Sequence, residues 1–304
     1  MTRCSRRAFT AATLSTLAAV AVPGLASGPA TEPARGNRRG SADGDALLRF
    51  GVTPVVLDDH VGFLNRWSDW MAAALGRPVT LVQRTRYREI VDLLLRGQLH
   101  LAWLCGYPYV QYQDRLGLIA VPRWHGDPLY RSEIIVPAGS QIRSLAELEG
   151  KLFAWTDPDS NSGWLYPRYL LERSGRDPER FFRRTIFTWG HARSVQAVAD
   201  GLVDAAAVDA YVRETLMLHT PGLADAVRVI ERSPLFGFPP IVAGPALDEA
   251  GRDAIRTLLL GQASDPEGRA LLANLNLDGF SGEGAALYLD IASMAEWLER
   301  RRQP

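Results

Sequence analysis

Ser160, Asn161 and Ser162 set two hydroxyls and an amide side by side, and Gly163 follows directly. Behind them Trp164, Leu165, Tyr169, Leu170 and Leu171 follow a helical pattern, so the polar triplet stands at a helix start. A helix start leaves backbone N–H groups unpaired and carries a partial positive charge. Two chemistries fit such a segment. Ser160 and its neighbours can cap the helix with no ligand involved, or the triplet can cradle an anion.

Two further segments share the same design, a strand, a small or polar residue, then a helix. Thr188-Trp189-Gly190-His191 places His191 at a helix start, after a glycine that would let backbone approach a ligand closely. Leu104-Cys105-Gly106-Tyr107-Pro108-Tyr109 places a thiol and two phenols at another. By default His191 is a cap or surface residue. Cys105 is by default a small buried hydrophobe, and Tyr107, Tyr109 and Tyr130 are half-buried core. In a parallel sheet all three loops would lie at one edge, where ligands bind.

The elements that must position these loops alternate. Residues 48–52 and 79–83 read as strands, with Phe63, Trp67, Trp70, Met71 and Ala74 at helical spacing between them. Residues 87–96 read as a helix stopped by Gly97, 100–104 as a short apolar strand, and 118–121 and 133–136 as strands. Ser144 with Glu147 has capping-box spacing. Strands at 151–155, 185–188 and 203–208 then interleave with helices at 162–174, 191–200 and 209–219. Strands at 227–231 and 241–243 precede a helical tail. Alternation of this kind predicts an α/β chain with parallel sheets flanked by helices.

Composition narrows the setting. Arg6 and Arg7 precede an apolar, small-residue run at 11–27, the pattern of a twin-arginine export signal over residues 1–30. That run is about 17 residues and contains Pro23, too short to span a bilayer convincingly. Residues 31–44 are rich in Gly, Pro, Arg and Ser and read as a disordered leader. Residues 1–44 hold six Arg against Glu32 and Asp43. Taking these from totals of 34 basic and 34 acidic residues leaves the body 28 and 32, about −4. That is no nucleic-acid footprint. With Cys4 inside the signal, Cys105 is the single thiol of the exported chain. The five histidines are scattered without metal-ligand spacing, so no metal or cofactor is expected.

At residues 157–171 (DPDSNSGWLYPRYLL) and 187–208 (FTWGHARSVQAVADGLVDAAAV) the chain resembles the phosphonate/phosphite/phosphate-binding proteins of ABC importers. Residues 85–104 (TRYREIVDLLLRGQLHLAWL), 126–151 and 233–242 (SPLFGFPPIV) extend the likeness over roughly 48–245. The resemblance implies a type II periplasmic-binding fold, two α/β lobes joined by a two-strand hinge around a ligand cleft. The lobes would be 45–132 with 238–304, and 133–237. It implies that Ser160, Asn161 and Ser162 match the family's oxyanion-gripping triplet and that His191 matches its phosphonate-contacting histidine. Tyr130 and Tyr87 match cleft tyrosines, with Cys105, Tyr107 and Tyr109 shaping the same cleft. Asn161 stands where the family usually has Thr, and Tyr211 and Pro239 stand where aminophosphonate binders have carboxylates.

The leading expectation is an exported, periplasmic, monomeric solute-binding protein that captures a small oxyanion for an ABC permease. A second reading uses Cys105 as a soft ligand for arsenite, in a sensor that signals to a histidine kinase. A third is a hydrolase built on Ser160 or Ser162, His191 and Asp204 or Asp209. The Gly-x-Ser-x-Gly elbow is missing around 160–162, so the chain is read as no enzyme.

Overall fold

Leu48, Phe50 and Val52 alternate along the strand Leu48–Val52 and are all fully buried. The computed structural model describes residues 47–53 and 61–302; the signal and leader expected at 1–44 lie outside the described residues. Leu48–Val52 pairs in parallel with Val79–Gln83 on one side and Leu101–Trp103 on the other. Helix Val61–Leu75 drives Trp67 and Met71 into this sheet's core, each worth about 1.5–3 kcal/mol of transfer free energy. Helix Tyr87–Leu95 buries Tyr87, Ile90, Val91 and Leu94, one stripe at helical spacing. Glu89 accepts the Arg86 N–H at 3.0 Å at its start, and Gly97 ends it at φ +70°.

The sheets are mixed rather than purely parallel. In the first, Ile241–Ala243 runs antiparallel between Leu101–Trp103 and Gly117–Arg123, and Gly279–Ser281 adds an antiparallel edge. The second sheet has the order Val227–Arg232, Ser132–Pro137, Ala205–Asp209, Leu152–Trp155, Arg184–Phe187. Its last three strands are parallel and its first two join antiparallel. The parallel parts are the ones that feed the loops of interest.

Two crossings link the sheets. Leu129–Tyr130 and Phe236–Gly237 pair antiparallel as a two-strand ribbon. The chain leaves the first sheet before one and re-enters its middle after the other, at Ile241–Ala243. The ribbon strands and Gly279–Ser281 are only two or three residues long, too short to show the alternation by which strands are read from sequence. The expected capping box is also different. Ser144 Oγ donates to the Glu147 carboxylate at 3.0 Å, and Leu145–Leu148 is a 3₁₀ turn rather than an α-helix. No helix among the described residues is long and apolar enough to cross a membrane.

Candidate functional site

The carboxyl ends of the parallel strands carry every loop that the sequence singled out. Residues 104–109 follow Leu101–Trp103, 156–163 follow Leu152–Trp155, and 188–191 follow Arg184–Phe187. Ala205–Asp209 ends at the same edge of the second sheet.

Ser160, Asn161 and Ser162 are fully buried and enter one π-helical turn, Asn161–Leu165, before helix Tyr166–Arg173. The wide turn has a local cause. Ser160 Oγ accepts the Gly163 N–H at 2.9 Å, and the Leu165 N–H reaches Ser160 O at 2.9 Å. Gly163 is obligatory because a Cβ there would sit 2.4 Å from Thr156 Cβ. Ser132 Oγ donates to Ser162 O at 2.7 Å and holds the turn from the neighbouring strand. Ser160 therefore does cap the helix, yet the triplet has capacity left over. Ser162 Oγ and Asn161 Oδ1 are buried with no hydrogen-bond partner among the described residues, a cost of about 1–3 kcal/mol each unless a ligand supplies the partner.

His191 opens helix His191–Ala199 and is buried. Its Nδ1 accepts the Asp209 backbone N–H at 3.0 Å. Thr156 Oγ1, 3.2 Å from the same nitrogen, lies 3.0 Å from Ala207 O and gives its proton there. Nδ1 is thus the acceptor, and the network assigns the ring proton to Nε2. Nε2 lies 3.4 Å from Ser160 Oγ. Burial pushes the imidazole down to about 3, so His191 is a neutral donor at ordinary pH. With Ser160 Oγ accepting from Gly163 and His191, its own hydroxyl proton is free to donate.

Three more predicted residues join this cluster. Tyr130, on the crossing ribbon, accepts from Asn161 Nδ2 at 2.9 Å. Tyr87 is fully buried, and its hydroxyl has no partner among the described residues. Cys105 Sγ accepts the Asn161 N–H at 3.2 Å. Burial raises the thiol to about 11, although the N–H groups of Asn161 and Tyr107 pull it back. The same burial raises both phenols well above their usual range. Tyr107 and Tyr109 pack elsewhere. The Tyr107 ring stacks on Trp164 at 6.2 Å, and the Tyr109 ring meets Tyr288 edge-on at 4.9 Å.

Sequence reasoning missed the contacts that tie the two sheets together around this cluster. Tyr87 N–H donates to Asp157 Oδ2 at 3.1 Å, and Arg88 Nη2 meets Asp159 Oδ1 at 2.7 Å. Arg86 lies 4.5 Å over the Trp189 ring. Trp189 holds φ +62°, a left-handed conformation that costs a bulky residue about 1–3 kcal/mol. Its N–H to Thr156 O at 2.8 Å and its stack on Phe187 at 5.3 Å hold it there. The Asp157 and Asp159 of the opening motif were the one sequence signal for these contacts.

A Ser–His–Asp relay is not assembled. The His191 nitrogen beside Ser160 carries the proton, and the Asp209 carboxylate accepts Tyr211 N–H at 2.8 Å and Val212 N–H at 3.4 Å, not the imidazole. Tyr211 OH donates to Leu275 O at 2.6 Å, and Pro239 O accepts from Trp103 Nε1 at 2.9 Å.

A sequence model of the family described as "ABC transporter, phosphonate, periplasmic substrate-binding protein" matches residues 50–286. The chain is 26% identical to the phosphonates-binding periplasmic protein of Escherichia coli over 265 residues, 84% of this chain and 78% of that one. A binding-protein component of an ABC phosphonate transporter from Pseudomonas aeruginosa has a similar fold, with TM-score 0.78 at 24% identity over 84% of this chain and 87% of that chain. PhnD1 of Prochlorococcus marinus in complex with methylphosphonate gives TM-score 0.74 at 20% identity, over 84% and 99%. Both the match over most of the chain and the type II fold agree with the site's construction, and the chain belongs to the periplasmic substrate-binding proteins of ABC phosphonate transporters.

Proposed function

We propose that the cleft captures a small tetrahedral oxyanion of the phosphonate, phosphite or phosphate type and delivers it to an ABC permease. One observation carries the reading. Ser160, Ser162, Tyr87 and the Asn161 amide form a buried set of uncharged donors, with His191 holding the Ser160 oxygen, and Ser162 Oγ and Tyr87 OH lack partners among the described residues. Charge-assisted hydrogen bonds to a desolvated anion contribute about 1.5–3 kcal/mol each, so four of them suffice without a nearby lysine. The engaged polar atoms of Tyr211 and Pro239 favour a ligand with no ammonium tail. The relative of like fold captured with methylphosphonate points the same way.

In this reading the lobes are 45–132 with 238–304, and 133–237, and the ribbon of Leu129–Tyr130 with Phe236–Gly237 is the hinge. Arg6-Arg7 directs export by the twin-arginine route, and the protein works as a monomer without catalysis. A buried thiol raised to about 11 gives no support to arsenite capture. Isothermal titration with methylphosphonate, phosphite and phosphate tests the proposal. Saturable heat with at least one of them is expected, lost in Ser162→Ala; flat titrations against all three end it.

A further inference from the structure

We propose that Asn161 makes this site select the protonated, singly charged form of its ligand, an oxyacid that still carries an O–H, over an isosteric anion with no proton to give, such as a sulfonate. The inference rests on the oxyanion reading above and names which anions qualify.

Asn161 is fully buried and carries three N–H hydrogens, one on the backbone and two on Nδ2. The backbone N–H goes to Cys105 Sγ at 3.2 Å, and Nδ2 goes to Tyr130 OH at 2.9 Å. The Cys105 thiol beside Tyr130 can take the phenolic proton, which leaves the phenolic oxygen to accept from the amide. The amide orientation follows from this network. What remain are the second Nδ2 hydrogen, a donor, and Oδ1, buried and unpartnered among the described residues. A carboxamide oxygen only accepts. Set against a deprotonated oxygen it is repelled; set against a ligand O–H it gains the bond it lacks.

The donor count agrees. The free donors of the cluster are Ser160 Oγ–H, Ser162 Oγ–H, Tyr87 O–H and the second Nδ2–H of Asn161, and Asn161 Oδ1 is the unpartnered acceptor among them. A hydrogen phosphonate offers two bare oxygens that take two donors each and one O–H that donates. A sulfonate offers three bare oxygens, one of which would face Oδ1. Cys105 and Tyr130 are positioning residues here, because they hold the Asn161 backbone N–H and one Nδ2 hydrogen and so fix the amide.

The titratable groups in contact with Asn161 are Cys105 and Tyr130, and around them lie Tyr87, Asp157, His191 and Asp209. His191 lies at about 3 and the thiol at about 11, and the phenols lie higher than usual, which leaves Asp209, pushed up to about 8 by burial, as the group to control for.

The test compares methylphosphonate with methanesulfonate by isothermal titration at about pH 5, below the second ionisation, where each carries close to one charge. Wild type is expected to prefer the phosphonate by about tenfold to a hundredfold, the range for one unsatisfied buried acceptor. Asn161→Thr, which returns a hydroxyl donor, should cut that ratio by about tenfold. At about pH 8.5, above the second ionisation of the ligand, titration in buffers of different ionisation enthalpy should show one proton taken up per phosphonate bound by wild type and less by Asn161→Thr. Asp209 is common to both proteins and cancels in the difference. Equal binding of the two anions by wild type, or a ratio and proton uptake that ignore Asn161→Thr, overturns this inference alone. Wild type that binds no oxyanion overturns the parent reading and this one together.

Discussion

Arg88→Ala should weaken ligand binding without touching the ligand. Arg88 Nη2 lies 2.7 Å from Asp159 Oδ1, with side-chain exposures of 43% and 7%. One partner is wet and the other dry. The contribution therefore falls between that of an exposed ion pair, about 0.2–1 kcal/mol, and the roughly 3–5 kcal/mol seen when a buried pair is broken. About 1–2 kcal/mol is reasonable, after allowance for solvent around Arg88. The pair joins helix Tyr87–Leu95 on the first sheet to the 157–159 loop on the second, so in the proposed two-lobe reading it forms only when the lobes meet. Its loss falls on the closed state, and the apparent dissociation constant rises by the same free energy, about 5- to 30-fold. Arg88 Nη1 also donates to Tyr112 OH within the first lobe, so Arg88→Lys serves as the control that keeps charge but loses the fork. Titration calorimetry reads the affinity, and added salt should narrow the gap between wild type and Arg88→Ala. An unchanged affinity, or a drop in urea midpoint as large for ligand-free as for ligand-saturated protein, would refute the closure argument.

Ser160→Ala strands the Gly163 and His191 donors that now share one oxygen at 2.9 and 3.4 Å; a loss of about 2–4 kcal/mol in urea unfolding is expected, and a change under about 0.5 kcal/mol would rule out the cap. The buried pair His191 and Asp209 should give opposed pH slopes. A histidine lowered to about 3 makes stability fall as pH drops from its ordinary 6.5, while an aspartate raised from 3.8 to about 8 makes it fall as pH rises over that interval. Each slope approaches about 1.4 kcal/mol per pH unit, and the two cancel below the ordinary histidine value. His191→Gln should therefore unmask a decline from about pH 4 to 8; a flat profile in that variant contradicts the Asp209 assignment. Cys105, buried with its thiol at about 11, should resist a thiol-specific disulfide reagent at mildly alkaline pH until the protein is unfolded; fast labelling of the native state would mean an open or ionised site.

Much of the fold was legible because its signals are local. Trp67 and Met71 at helical spacing, Leu48 and Phe50 alternating, and Gly97 after a helix each report a period or a stop within a few residues. The ribbon strands Leu129–Tyr130 and Phe236–Gly237 escaped because a two-residue strand has no period, and their pairing joins residues far apart in the chain. The antiparallel insertion of Ile241–Ala243 escaped for the same reason, since partner and direction are not written in either strand alone. At the site, Ser160, Asn161, Ser162 and His191 were legible as residue types at helix starts. The ring contacts of Tyr107 with Trp164 and of Tyr109 with Tyr288 were not legible in the sequence. Sequence adjacency on a short helix sends neighbouring side chains in different directions.

By itself, then, the sequence determined which groups are available: a Ser-Asn-Ser-Gly turn before a helix, a histidine at a second helix start, and strands alternating with helices to carry both. Only the tertiary structure decided what those groups are. The Asp209 N–H, brought to His191 by strand pairing, places the ring proton on Nε2. Cys105 and Tyr130, distant in sequence, hold the Asn161 backbone N–H and one amide hydrogen, while its oxygen stays without a partner among the described residues. Arg88 and Asp159 become a pair only where the two sheets meet. Protonation state, amide orientation and interlobe contact depend on partners that are near in space and far along the chain, and a local pattern of residues contains no record of them.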